Sequence, residues 1–199
     1  MPDRFGDEQY TTPADQLARI LLGCTFVRTL LTGERLAGII TETEAYLGPE
    51  DRASHAFNNH RSDRNESMYA KPGTAYVYFT YGMHHCFNIS CLREGHPAAV
   101  LIRAIHPTED IEVMRAHRTA KPRKTPLRDR DLCNGPAKLC QALAIDRSHD
   151  GLDLTQSAKL AVFEGARVPD ARIERTPRIG VGYAGAWAAK PLRWVLKPD

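Results

Sequence analysis

Two carboxylates and a phenol fall in register in the stretch ITETEAYLGPE, residues 40–50. Alternation with period two puts Glu42, Glu44 and Tyr46 on one face of a strand. The apolar run LAGII leads into it and Gly48-Pro49 closes it. A carboxylate is costly to bury without a partner, so two of them on so apolar a strand point to chemistry. A carboxylate beside a sugar can take a proton from water and steady a developing oxocarbenium ion.

A second stretch, TAYVYFTYGMHHCFNIS, reads as two strands joined across Tyr81, Gly82 and Met83. Tyr76 and Tyr78 share one face of the first strand; Ala75, Val77 and Phe79 share the other. Turns favour Gly, Asn, Asp and Pro, so an aromatic at Tyr81 has little local reason to exist. It is either an anchor for another loop or a wedge of the kind that slides between stacked bases. A third feature is the run at residues 115–130, with seven Lys/Arg against one acid. Broken by prolines, it reads as a flexible loop, either solubilising or in contact with phosphates. One kind of enzyme accommodates all three. Chemistry on a base within a duplex requires extruding the nucleotide, stacking the base between aromatics and attacking it. Tyr46, Tyr78 and His55 are candidate stacking faces.

The elements that must position these residues fit a chain of 199 residues, 42% hydrophobic and 26% charged, with net charge +3. That length supports one sizeable core. Thr12-Pro13-Ala14-Asp15 reads as a capped helix start, stopped at Gly23. CTFVRTL and ERLAGIITETEAY are two strands around a hairpin at Thr32-Gly33. Residues 48–72 are a long polar loop, and AAVLIRAI is another buried strand. Helices are expected from Glu109 to Ala116 and in NGPAKLCQALAI, where Asn134 precedes a proline start. The C-terminal RIGVGYAGAWAAKPLRWVL ends in a strand after glycine-rich turns. Hairpin-linked strands in no βαβ order give an α+β fold: a mainly antiparallel curved sheet, flanking helices and a protruding β-hairpin. Residues 1–199 are read as a single domain, with a flexible N-terminus at about 1–11 and the basic loop at about 115–130.

Other chemistries fare less well. His84, His85 and Cys86 alternate across a strand and cannot easily share one ion; with no HxxxH, HExxH or CxxC, no metal is expected. GVG at residues 180–182 does not suggest a dinucleotide and reads as a tight turn or a phosphate contact. No cofactor is expected. A lyase needs a pocket lysine, and the pocket segments offer only Lys71. Five cysteines without a CxxC pair suit reduced thiols. With no long apolar run and no leader, the expectation is a cytoplasmic protein with no membrane association, a monomer.

Four blocks, ETEAYLGPEDRASH, KPGTAYVYFTYGMHHCFNIS, LCNGPAKLCQALAI and RIGVGYAGAW, resemble the alkyladenine (3-methyladenine) DNA glycosylase family, in order and at nearly constant spacing. The short N-terminus is similar to that of bacterial members. The resemblance implies a monofunctional base-excision enzyme that removes alkylated and deaminated purines from damaged double-stranded DNA, on one α+β domain unrelated to the helix-hairpin-helix glycosylases. It implies Glu44 as general base and Arg103 near the catalytic water. Tyr46, His55 and Tyr78 would surround the flipped base, with Asn88 at the pocket floor and Tyr81 intercalating. Gly82, Met83, Lys138, Lys190, Arg123 and Lys124 are the remaining expected DNA contacts. Glu42 takes a structural role in this scheme. His84 and His85 stand where vertebrate members carry aromatics, and His60 falls near where some members have arginine.

Overall fold

A computed structural model describes residues 2–80, 82–119 and 125–197. In chain order the elements are α1 (Asp7–Tyr10), α2 (Ala14–Ile20), β1 (Thr25–Thr29), β2 (Arg35–Tyr46), β3 (Ala75–Thr80), β4 (His84–Cys91), β5 (Ala98–Glu109), α3 (Ile111–Arg118), α4 (Asp129–Leu132), α5 (Pro136–Ala142), β6 (Leu160–Phe163), β7 (Ile173–Thr176) and β8 (Arg193–Leu196). Short 3-10 turns fill the connections. All strand pairs are antiparallel, in the order β3-β4-β5-β2-β1-β6, and β7 pairs β8, which joins β2. This is the expected α+β architecture.

The twelve-residue β2 carries the site because it serves two sets of neighbours. Its first half pairs with β1 and its last residues with β8, while β5 lies alongside nearly all of it. The register with β5 shifts on either side of Glu42, a β-bulge that re-aims the strand beside the catalytic candidates. Period two then separates the two faces. Ala45, Val77, Phe87, Ile89, Val100 and Ile102 pack into the main core with Leu17 and Leu21 of α2. Tyr46, Tyr78, Asn88 and Arg103 face the other way. Thr43 belongs to the core face, and its hydroxyl donates 2.7 Å to the Ala18 carbonyl of α2, fastening β2 to that helix.

Several expectations need correction. The Thr12 hydroxyl does not cap α2: Pro13 is the N-cap and no side chain bonds there, because its φ of -55° already leads into the helix. The proline start of α5 holds: it begins at Pro136, with Gly135 as its cap residue. The helix expected from Glu109 starts at Ile111, since β5 runs through Glu109 and Asp110 sits left-handed at φ 48°. The basic run is not a loop throughout. Arg115 and Arg118 lie on α3 and Asp129 and Arg130 on α4, and Arg115 pairs with both Glu112 and Asp129. Residues 120–124 lie outside the described residues. The segment before Thr12, expected to be flexible, is anchored: Phe5 and Tyr10 are buried, and Arg4 donates to the carbonyls of Leu154, Ser157 and Leu160. Strands β6 and β7, four residues each, fall below the length at which alternation is readable. Cys24, Cys86, Cys91, Cys133 and Cys140 are all free and buried. Among the described residues, no helix is long and apolar enough to cross a membrane.

Thr43→Val keeps the shape but orphans the buried Ala18 carbonyl. Leaving a buried acceptor unmade costs about 1–3 kcal/mol. Urea unfolding should show that loss; unchanged stability would mean the bond does not fasten β2.

Candidate active site

The polar-and-aromatic face of the sheet opens into a cleft of about 370 Å³, within the usual range for small-ligand sites. Strands β2 to β5, the loop after β2 and residues 179–183 together line it. Tyr46, His55, Tyr78, Asn88 and Arg103, which come from β2, the loop after it, β3, β4 and β5, all line it. The register explains the meeting. Leu101 of β5 pairs with Glu44 on one side and Asn88 on the other, so three strands place their functional residues level.

Glu44 is not itself among the lining residues: it is completely buried, in contact with Tyr46, Arg103 and Ile179, which are. Its Oε2 accepts from the Tyr46 hydroxyl at 2.9 Å, and its Oε1 accepts from the Ile179 backbone N–H at 2.8 Å. Arg103 Nη1 lies 3.2 Å from the same Oε1. The carboxylate is thus held by two hydrogen-bond donors and one ion-pair partner, and a carboxylate has about four acceptor positions. Arg103 is in turn held by Glu42, whose Oε1 receives Arg103 Nε at 2.9 Å and Arg193 Nε at 2.5 Å. Burial works against charge on Arg103, but Glu44 and then Glu42 outweigh it and raise its pKa above the ordinary value. The guanidinium therefore stays charged. Burial, followed by the Glu44 charge, pushes the Tyr46 phenol well up, so it remains a neutral donor. Glu42 thus answers a structural question: it is the partner that orients Arg103.

The aromatic wall is built around Tyr76, Tyr78 and His55. The Tyr76 and Tyr78 rings lie 5.3 Å apart, and His55 meets Tyr78 edge-on at 4.6 Å. His55 Nδ1 is 2.7 Å from the Tyr76 hydroxyl. Burial, aided by the charge of Arg64 and by His60, lowers the His55 pKa from 6.5 to about 4. A neutral imidazole is the form that faces a ligand at neutral pH. Arg64 lies over the Tyr78 ring, 5.3 Å from its centroid. Asn88 is buried, and its Nδ2 donates 3.1 Å to the carbonyl of Tyr76, its direct cross-strand partner. The amide is therefore fixed at the cleft floor.

The other expected residues fall outside this cluster. Gly82 and Met83 lie on the β3–β4 turn, where Gly82 has φ 68° and Met83 is 70% exposed. Lys138 on α5 bonds Asn134 Oδ1 at 2.8 Å, and Lys190 sits over the Trp187 ring. Tyr81, Arg123 and Lys124 lie outside the described residues. Residues missed in the sequence are Tyr76, Asp51, Arg178 and the segment 179–183. Tyr76 had a signal, since it shares the face of Tyr78. The GVG segment at residues 180–182 read as a tight turn or a phosphate contact, yet Ile179, Gly180 and Val181 line the cleft. Tyr183 also lines it and reaches across to the Ala53 carbonyl at 3.1 Å. Among the described residues, no group of three His, Cys, Asp or Glu is placed to hold a metal ion. Lys71 is paired with Asp153 at 2.7 Å and is not among the cleft residues.

Comparison with known proteins gives concordant matches. The family model described as Methylpurine-DNA glycosylase (MPG) matches residues 8–199. The DNA-3-methyladenine glycosylase of Homo sapiens is 47% identical over 198 residues, covering 98% of this chain and 66% of that protein. The protein of the same name from Mus musculus is 46% identical, with 98% and 59% covered. A putative 3-methyladenine DNA glycosylase of Desulfitobacterium hafniense is 41% identical, with 98% and 95% covered. The chain thus spans about two thirds or less of the length of those two mammalian relatives, and nearly all of the bacterial one.

The depressed His55 pKa carries a stability consequence. The folded protein resists protonating His55 until about pH 4, whereas the unfolded chain takes the proton near pH 6.5. That contribution is fully present above pH 6.5 and is lost as pH falls towards 4. His55→Gln should flatten the stability profile across that window in denaturation measurements. Equal slopes for mutant and wild type would show that His55 protonates freely in the fold.

Proposed function

Because the chain belongs to the methylpurine-DNA glycosylase family, we propose that it is a monofunctional base-excision DNA glycosylase. It flips and hydrolytically removes alkylated or deaminated purines of the 3-methyladenine, 7-methylguanine, hypoxanthine and ethenoadenine class. The observation that carries this reading is the buried Glu44 carboxylate, held by two hydrogen bonds and the Arg103 ion pair beside an aromatic cleft.

In this mechanism the purine enters the cleft and stacks among Tyr46, Tyr78 and His55. Stacking is worth roughly 1–3 kcal/mol per base and tolerates many purines. The deoxyribose C1′ then lies towards Glu44. As the C1′–N9 bond breaks, the base leaves with the bonding electrons and the sugar acquires oxocarbenium character. Water adds to C1′ and gives its proton to Glu44. A cationic leaving base needs no proton; a neutral one must take one up. Arg103 holds the carboxylate and supports the water. Tyr81 is the wedge that fills the vacated stack, and Gly82 and Met83 beside it approach the groove. Lys138, Lys190, Arg123 and Lys124 contribute phosphate contacts, the term that carries salt dependence. Arg115 contributes less, being engaged with Glu112 and Asp129. The enzyme acts on damaged duplex DNA as a monomer.

Glu44→Gln keeps the shape but cannot accept the proton. Single-turnover release of hypoxanthine from a duplex should fall about a hundredfold or more, with binding retained. Near wild-type release would make the protein's base something other than Glu44; no release by the wild type either would favour a non-catalytic binder of damaged DNA.

Selectivity should come from the base edge, because stacking does not refuse guanine. Asn88, fixed by its bond to Tyr76, would meet the guanine 2-amino group, which adenine and hypoxanthine lack. Asn88→Ser should release guanine, above all from G·T pairs, where flipping costs less. A folded variant that is active on hypoxanthine yet gains no guanine release would remove this role from Asn88.

A further inference from the structure

Arg178 and Asp51 form an ion pair with both side chains fully enclosed. Nη1 approaches Oδ2 at 2.5 Å and Nη2 approaches Oδ1 at 2.8 Å, a bidentate contact between residues 127 positions apart. None of the chemical steps above uses either residue. A buried ion pair is weak evidence for stability, because desolvation offsets most of the attraction. What the pair touches is more informative.

Arg178 Nη1 also donates 2.8 Å to the carbonyl of Ala45, the residue between Glu44 and Tyr46. Its guanidinium carbon lies 4.7 Å from the centroid of the Tyr46 ring. The next residue along, Ile179, gives Glu44 its backbone donor. Asp51 meanwhile accepts the N–H groups of Leu47 and Ala53, fixing the turn after β2 and the start of the loop that carries His55. All of these contacts except the one to Ala53 end at Glu44, at Tyr46 or at a residue next to them. Burial works against charge on Arg178, yet the Asp51 bond and charge raise its pKa above the ordinary value. The cation is therefore permanent.

We propose that Arg178, locked by Asp51, is a positioning residue for the general base. It fixes the Ile179 amide on Glu44 and supports the Tyr46 ring, over which its guanidinium lies. The inference rests on the reading of Glu44 as base. Bidentate geometry is the requirement, since a fork with two fixed points sets both distance and angle, which a lysine cannot do. Loss of the pair displaces the Ile179 donor from the carboxylate, which favours its protonated form. The charged and titratable groups around Glu44 are Glu42 and Tyr46 on β2, Tyr78 on β3, Cys86 on β4, Arg103 on β5, Arg193 on β8 and Arg178 itself with its partner Asp51. Arg178→Lys alters one of these and keeps its charge, and the double variant removes the opposite charges of Arg178 and Asp51 together.

The experiment is single-turnover release of hypoxanthine from a duplex as a function of pH. It compares wild type, Arg178→Lys and the double variant Asp51→Asn/Arg178→Met, which leaves no unpaired buried charge. Near-ultraviolet circular dichroism and duplex affinity are measured on each. A displaced base should slow release about a hundredfold and move the acid limb of the profile to higher pH, with affinity retained. Arg178→Lys should show the same shift in smaller measure, and it decides the matter if the double variant does not fold. A folded variant whose acid limb stays in place, or whose loss falls wholly on affinity, overturns the proposal. Glu44→Gln in parallel separates the two failures: wild-type release there sinks the base reading itself, whereas an inactive Glu44→Gln beside an unmoved limb sinks only the role of Arg178.

Discussion

A carboxylate with no contact to solvent, Glu44, is the constraint around which this structure is arranged. Removing such a group from water costs several kcal/mol unless charge and hydrogen bonds replace the lost hydration. The replacement comes from three separate parts of the chain. Tyr46 follows two residues later on the same strand, Arg103 comes from β5, Ile179 from the segment before β8, and Arg178 stands behind. Each donor needs its own support. Glu42 orients Arg103, Arg193 neutralises Glu42, and Asp51 locks Arg178. Three acids and three arginines therefore close into a balanced network. Such a network is costly when half made and rigid when complete.

The sheet makes that network possible by keeping two chemistries on two faces. Core residues and site residues alternate along β3, β4 and β5, so a one-residue slip of any of them would turn its site residues into the core. The bulge around Glu42 and the bond from Thr43 to α2 fix the register of the strand where this matters most. Rigid scaffolding beneath a cleft of aromatic rings suits a site that stacks a planar base rather than closing over it. The turn bearing Gly82 and Met83 projects from the same strands, so the expected wedge and the pocket share one support.

Legibility in the sequence followed the range of the interactions. The alternation of Glu42, Glu44 and Tyr46, and that of Tyr76 and Tyr78, depends on neighbours two positions apart and is visible in the letters. The antiparallel, hairpin-linked order of the early strands is visible for the same reason. Asp51 and Arg178 were not, because an isolated charge near a glycine turn looks solvated until its partner, far along the chain, is placed beside it. The 179–183 segment hid its role because it works through a backbone N–H and wall contacts, not through a distinctive side chain. Thr12 misled for a local reason: a proline at the following position already supplied the helix-starting angle. The basic run misled because its prolines lie between two short helices whose arginines are partly engaged by neighbouring acids.

The central claim is that this cleft hydrolyses a glycosidic bond with a carboxylate and water, with no covalent link to protein. Its most direct test is a single-turnover reaction on a hypoxanthine-containing duplex in the presence of borohydride, with free base and protein–DNA adduct measured together. The account predicts stoichiometric free hypoxanthine, a DNA strand left unbroken at the abasic site, and no trapped adduct. An adduct reduced onto a lysine, or strand cleavage accompanying base release, would contradict it.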